Sequence, residues 1–359
     1  MTVPYEEIDT PALVIDLDAV EANIAEMAAV TARHGVRLRP HIKTHKMPEI
    51  ARLQLAAGAA GITCAKLGEA EVMADAGCDD VLLAFPLWGR PKLERLAALR
   101  ERARVRVSLD SVEVAEGLGA IASAGDPIEV FVEVDTGLHR LGRPPGAPTA
   151  ELVAAVRAVP GVTVAGLLTH AGHSYRSTSL DELRAIAERE VTDLTETAKL
   201  CGGELEVSVG STPTARFGAA VPGVTEVRPG TYVFNDANMI RLGVATEATA
   251  ASRVLATVIA RPAPDRFVVD AGSKALTSDG AGTPGWIIVA GRPELSMRFL
   301  SEEHGVGRCA TDTGPEIGER LELIPSHACP VSNLFDTAYG VRGGRLDHEL
   351  VVAARGKVR

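Results

Sequence analysis

Val36-Arg37-Leu38-Arg39-Pro40-His41-Ile42-Lys43-Thr44-His45-Lys46 is a short β-type run that turns polar and basic at its carboxyl end. The strand-like part extends from Val36 to Ile42, and Lys43 stands where it stops. A lysine at a strand end, facing a pocket and crowded by basic neighbours, can have its amine pKa lowered enough to attack a carbonyl, as Schiff-base chemistry requires. The plain alternative is a solvated basic turn, since lysines are mostly surface residues. The surrounding chain has to decide between them.

Seven further β-rich runs follow at residues 61–66, 80–85, 104–110, 128–135, 162–170, 204–210 and 226–232, each separated by a longer helical stretch. Most are rich in Val, Leu and Ile, which suits parallel strands covered by helices. Eight such units predict a closed (β/α)8 TIM-type barrel rather than an open doubly wound sheet. The carboxyl ends of the runs collect Lys43, Asp110, Asp135, His170 and Gly210, with Arg228 on the eighth. In such barrels that end carries the reactive groups.

Ahead of the barrel, residues 12–16 read as a strand and 18–34 as a helix. Asp18 and Glu21 fit a capping box, Val20, Ile24, Met27 and Thr31 share a face, and Gly35 is the stop. After about residue 245 the helical pattern disappears. Runs at 252–259, 266–271, 286–289, 320–324 and 349–353 read as strands joined by Gly/Pro-rich turns. The expected division is a barrel domain at 1–245 and an all-β domain at 246–359, with residues 1–16 free to pair with the β domain instead.

The 359 residues are enough for a barrel and a smaller domain, and 46% hydrophobic content argues against disorder. No apolar run approaches the roughly 20 residues that cross a bilayer, and residues 1–7 lack the pattern of a signal peptide. Five scattered cysteines suit a reduced cytoplasmic protein better than a disulfide framework. A net charge of −10 argues against nucleic acid or an anionic membrane as partner, though local basic clusters still suit a small anionic substrate.

Four stretches carry candidate chemistry. Gly210-Ser211-Thr212-Pro213-Thr214 follows the seventh run and Arg228-Pro229-Gly230-Thr231-Tyr232 lies on the eighth, where barrels usually hold a phosphate. Ser211, Thr212 and Gly230 are suitable donors; the alternative is an ordinary turn. On the loop after the fifth run, Arg140 either donates to a cofactor oxygen or pairs with Asp135 at the surface. Thr169-His170-Ala171-Gly172-His173-Ser174-Tyr175 closes the sixth run. Either histidine is a candidate base near neutral pH, and Tyr175 a candidate contact to a phosphate or substrate carboxylate. In Pro325-Ser326-His327-Ala328-Cys329-Pro330, His327 and Cys329 lie two apart on a segment read as extended, so both face one side and can reach one metal ion. A buried cysteine beside a structural histidine is the alternative.

Together these motifs resemble the fold-type III pyridoxal-phosphate (PLP) enzymes, in the branch of D-threonine aldolases and D-serine dehydratases. The matching stretches are Asp9-Thr10-Pro11-Ala12, RPHIKTHK (39–46), Gly68-Glu69-Ala70, THAGHSY (169–175), GSTPT (210–214), VTEVRPGTYVFND (224–236), Ser301-Glu302-Glu303-His304-Gly305 and PSHACP (325–330). They cover nearly the whole chain in order. The resemblance implies an alanine-racemase-like barrel followed by a β domain, working as a homodimer on a small D-amino acid. It implies that Lys43, not Lys46, carries the cofactor, that Arg140 sits near its ring, and that Tyr175, Ser211, Thr212, Arg228, Gly230 and Thr231 help hold it. It makes His327 and Cys329 the ligands of a divalent metal. The soft thiolate favours Zn2+, with Mn2+ or Mg2+ as the alternatives.

The resemblance implies two competing outcomes. The metal lowers the pKa of the substrate β-hydroxyl. A base, either His173 or a water on the metal, then removes the hydroxyl proton, and the Cα–Cβ bond breaks to glycine and an aldehyde. If Lys43 instead takes the Cα proton, the hydroxyl departs and hydrolysis gives a 2-oxo acid and ammonia. The residues after the ligand pair, 330–334, lean to the aldolase. A racemase needs a second acid/base for which Tyr339 offers no fitting context. A non-catalytic PLP-binding protein would lack the β domain.

Overall fold

The computed structural model describes residues 8–123, 125–281, 285–311 and 314–359. The reading of residues 1–7 therefore lies outside the described residues. Strand β1 (Ala12–Asp16) and helix α1 (Leu17–His34) open the chain. Val20, Ile24, Met27 and Thr31 form the buried face of α1 as the spacing predicts, and Gly35 leaves it at φ +65°. The cap differs from the expectation. Asp16, not Asp18, accepts the first-turn Ala19 N–H at 3.0 Å, while Asp18 accepts from Arg342 and the Gly343 N–H instead.

All eight predicted runs become strands: β2 (Arg37–Leu38), β3 (Ile62–Cys64), β4 (Asp80–Leu83), β5 (Arg104–Leu109), β6 (Ile128–Glu133), β7 (Val162–Leu168), β8 (Glu206–Val209) and β9 (Glu226–Val227). They form one parallel sheet in the order β2-β9-β8-β7-β6-β5-β4-β3. A parallel bridge from His41 to Thr63 and an Ala60 N–H bond to the Leu38 carbonyl (2.8 Å) bring β2 against β3, which closes the circle. Helices α2 (Pro48–Ala56), α3 (Leu67–Asp75), α4 (Arg90–Arg100), α5 (Val112–Gly119), α6 (Ala147–Arg157), α7 (Leu180–Cys201) and α8 (Thr212–Gly218) follow β2 to β8 in turn. Strands β2 and β9 end earlier than their runs because each meets an Arg-Pro pair. Pro40 and Pro229 have no N–H to continue a ladder.

By its contacts the chain separates into two units. One holds residues 25–43, 50–230 and 356–359; the other holds residues up to 24, 44–49 and 231–355. The second unit contains α9 (Ala237–Arg241), β10 (Ser252–Ala263), β11 (Arg266–Val269), α10 (Ser273–Leu276), β12 (Ile288–Val289), β13 (Ser296–Leu300), β14 (Gly305–Arg308), β15 (Arg320–Ile324), α11 (Ala328–Ser332), β16 (Thr337–Arg342) and β17 (Arg345–Val351). Its main path runs β13-β14-β11-β10-β1-β16-β17, with β15 pairing β10 and β12. Strand β1 is antiparallel to β10 and parallel to β16, and it inserts Leu13 and Ile15, both fully buried. The unit is the expected antiparallel sheet domain, and among the described residues the short helices α9, α10 and α11 lie between its strands.

Candidate functional site

Lys43 lies in a single 3-10 turn, Ile42–Thr44, immediately beyond the His41–Thr63 bridge, so it sits at the carboxyl mouth of the first barrel strand. Its side chain is half-buried, and its backbone N–H donates to His41 Nδ1 at 3.3 Å. Lys46 is displaced from this position. Its backbone takes the left-handed conformation at φ +58°, and its carbonyl accepts the Ala354 N–H at 3.0 Å within the β unit.

His170 follows β7 by two residues. Its Nδ1 lies 2.6 Å from the Gly210 carbonyl, and a carbonyl can only accept, so Nδ1 carries the proton. Burial, then the positive charges of Lys43 and Arg140, push its pKa down to about 3. The ring is thus neutral, and its Nε2 is a weak base. His173 is placed by the turn Gly172–Arg176, and a Cβ on Gly137 would stand 3.3 Å from its ring. Its Nδ1 is buried and has no hydrogen-bond partner among the described residues. Burial holds its pKa below the ordinary value, with Asp135 opposing.

Arg140 is exposed, and the surface pairing expected with Asp135 is not the one formed. Asp135 Oδ2 is 2.8 Å from the His139 ring, and Arg140 lies 3.7 Å from the buried carboxylate of Glu133. Burial pushes the Glu133 carboxyl up, although Arg140 and Arg228 oppose it. Arg228 sits in the barrel interior, where it donates to Ser208 Oγ and to the Thr169 carbonyl (2.6 Å). Its field partners are Glu226, Glu133 and Glu190. Ser211 Oγ pairs with Ser174 Oγ at 2.9 Å, which ties the loop after β8 to the histidine turn that carries Tyr175. Thr212 opens α8, and Thr214 donates to Glu190 Oε1 at 2.8 Å. Ser211, Thr212, Gly230 and Thr231 are all buried.

In the β unit His327 is extended (φ −145°), but Ala328 already starts α11, so Cys329 lies in a helical first turn rather than on an extended segment. The pair still comes together. His327 Nδ1 stands 3.0 Å from Asp279 Oδ2, and its ring also hydrogen-bonds Cys329, which leaves Nε2 to face the sulfur. Against the cost of burial, the Cys329 thiolate, Asp236 and Asp279 raise the His327 pKa to about 10. Thr44 Oγ1 lies 3.1 Å and Thr231 Oγ1 3.9 Å from Cys329 Sγ. Among the described residues no cluster of three or more His, Cys, Asp or Glu side chains could hold an ion. A two-ligand set of imidazole and thiolate, with a carboxylate on the far ring nitrogen, nevertheless fits a divalent metal that keeps open positions. A mouth lysine, a neutral histidine and a buried Ser/Thr loop likewise fit PLP.

Residue reading missed Ser174, Glu133 and Glu190, and it assigned no role to Asp236 or Asp279. Asp236 lay within the quoted 224–236 stretch, whereas Asp279, 48 residues before His327, gave no signal.

A closed parallel barrel with a lysine at its first mouth, joined to an antiparallel unit bearing an imidazole–thiolate pair, defines the alanine-racemase-like class of PLP proteins. Residues 15–238 match the family described as alanine racemase, N-terminal domain, and residues 251–341 match the putative serine dehydratase domain. The chain belongs to this family of fold-type III PLP enzymes, in its lyase branch. It is 37% identical to a D-threonine aldolase of Arthrobacter sp. over 98% of this chain and 94% of that one. It is 37% identical to the D-threo-3-hydroxyaspartate dehydratase of Delftia sp. (strain HT23) over 91% of this chain and 93% of that one. The crystal structure of D-threonine aldolase from Filomicrobium marinum superposes with a TM-score of 0.93 at 37% identity, covering 99% of this chain and 98% of that one. A cysteine-to-alanine variant of a D-threo-3-hydroxyaspartate dehydratase, solved in what is described as the metal-free form, gives a TM-score of 0.87 at 36% identity, covering 96% of this chain and 97% of that one. Among the described residues no helix is long and apolar enough to cross a membrane.

Proposed function

We propose that the chain is a PLP- and divalent-metal-dependent lyase acting on small D-β-hydroxy-amino acids, and that its reaction is retro-aldol cleavage to glycine and an aldehyde, as by a D-threonine aldolase. The His327–Cys329 pair carries this reading: an imidazole nitrogen facing a thiolate sulfur, backed by Asp279, is a donor set for zinc with room for a substrate hydroxyl. PLP, when bound, supplies an electron sink for cleavage at Cα. Lys43 holds it. Ser211, Thr212, Tyr175, Gly230 and Thr231 would hold its phosphate, and Arg140 and Arg228 would supply fixed positive charge. His170 contributes a neutral ring locked on the Gly210 carbonyl. His173 is the better base, because the pKa of His170 is too low for a group that must take a proton near pH 7. The five free cysteines support a reducing, cytoplasmic setting; the homodimer rests on the resemblance alone.

Dehydration is the second reading, favoured by the equal identity to the Delftia dehydratase. Lys43 would then take the Cα proton. Product analysis of the holoenzyme with D-threonine separates the two: acetaldehyde and glycine support the aldolase, and 2-oxobutanoate with ammonia refutes it.

A further inference from the structure

We propose that Asp236 is a positioning residue for the metal pair, its carboxylate fixing the peptide between His327 and Cys329 so that imidazole and sulfur converge on one divalent ion. The inference rests on reading those two residues as ligands. Asp236 is fully buried and both of its oxygens are committed. Oδ1 accepts the Met239 N–H at 3.1 Å, capping α9, and Oδ2 accepts the Ala328 N–H at 3.1 Å. Ala328 is the residue between the two ligands. Next door, the Ala237 N–H donates to the Pro325 carbonyl at 3.0 Å, so residues 236–237 grip the ligand segment at two points.

A helix cap needs only one oxygen, and serine supplies it without burying a charge. The second oxygen reaches the ligand peptide. Asparagine cannot replace it, because its single oxygen can satisfy one of the two N–H donors and its NH2 group would then face the other. A hydrogen bond between a charged carboxylate and a buried N–H is among the stronger kinds, which suits a device that sets ligand geometry. Asp279 orients the His327 ring from the far side, whereas Asp236 holds the N–H of the residue between the two ligands.

The test uses the full-length PLP-loaded protein, stripped of metal by chelator, and compares wild type, Asp236→Ser, Asp236→Asn and His327→Ala. Zinc is titrated in competition with a chromophoric chelator, and cobalt is titrated to read its thiolate absorption band. Asp236→Ser keeps the α9 cap but leaves the buried Ala328 N–H without its acceptor, so its metal-free form should melt roughly 2–12 °C below wild type while its PLP absorbance is unchanged. Its zinc affinity should fall about 10–100-fold, the usual cost of losing an outer support of a metal ligand, and its thiolate–cobalt band should weaken. Asp236→Asn should lose at least as much affinity. Zinc affinity of Asp236→Ser within about twofold of wild type would overturn the proposal. Equal zinc binding by wild type and His327→Ala would sink the ligand reading itself, and this proposal with it.

Discussion

Arg39 is only 2% exposed, and its guanidinium joins Glu226 at 2.8 Å and Asp80 at 2.6 Å, so it ties β2 to β9 and β4. Glu226 is fully buried and also accepts from Ser208 Oγ at 2.7 Å. Burial would raise its pKa, but the charge and hydrogen bond of Arg39 outweigh that and hold it below the usual carboxylate range. Arg39→Leu therefore leaves the buried carboxylate without its direct partner, with only the weaker Arg37 contact at 3.8 Å and the field of Arg228 remaining. Breaking a buried pair by removing one partner costs about 3–5 kcal/mol. Asp80 adds little, because it is partly exposed and keeps Arg106 at 3.3 Å. At about 2–4 °C per kcal/mol for a domain of this size, the barrel transition should fall by roughly 6–20 °C. The double variant Arg39→Leu/Glu226→Leu removes both charges, and an apolar pair of similar volume is often close to neutral. It should regain at least half of that loss. Thermal unfolding followed by circular dichroism at pH 7, on both single variants and the double, reads the coupling directly. A loss under about 1 kcal/mol in Arg39→Leu, or a double variant whose loss is the sum of the singles, would refute the reasoning.

Burial raises the Glu190 carboxyl to about 7, so the native state binds its proton more tightly than the unfolded chain does. This contribution to stability is fully present below about pH 4.5 and is lost as pH rises towards 7, by up to about 3 kcal/mol. Glu190→Gln should thus melt above wild type at pH 8 and lose that advantage at pH 5; a difference independent of pH would contradict the assignment. His327→Ala and Cys329→Ala should each abolish turnover and keep the PLP absorbance, and wild type should lose turnover on chelation. Full activity of either variant in metal-free buffer would rule out the metal.

The barrel was legible because eight Val/Ile/Leu-rich runs recur with helical spacers, a pattern that survives any error at strand ends. The ends themselves were not, since Pro40 and Pro229 act through hydrogen bonds they cannot make. In the β unit β13, β14 and β16 escaped notice. Ser296–Leu300 is largely solvent-facing, with Phe299 56% exposed, and Gly305–Arg308 is half glycine, so neither carries a period-2 signal. Cys329 was misplaced locally because a His-X-Cys spacing carries no helix-start signal, and Pro330 in the first turn is compatible with a helix. The candidate Lys43 rests on one contiguous motif. Asp236 and Asp279 gave no such motif, because their backbone and ring partners lie 92 and 48 residues away.

The attachment of PLP to one amine tests the account most directly. Borohydride reduction of the holoenzyme followed by peptide mapping should place the pyridoxyl group on Lys43, and Lys43→Ala should lose the visible imine band while Lys46→Ala keeps it. A label on Lys46, or an unlabelled Lys43, would contradict the account.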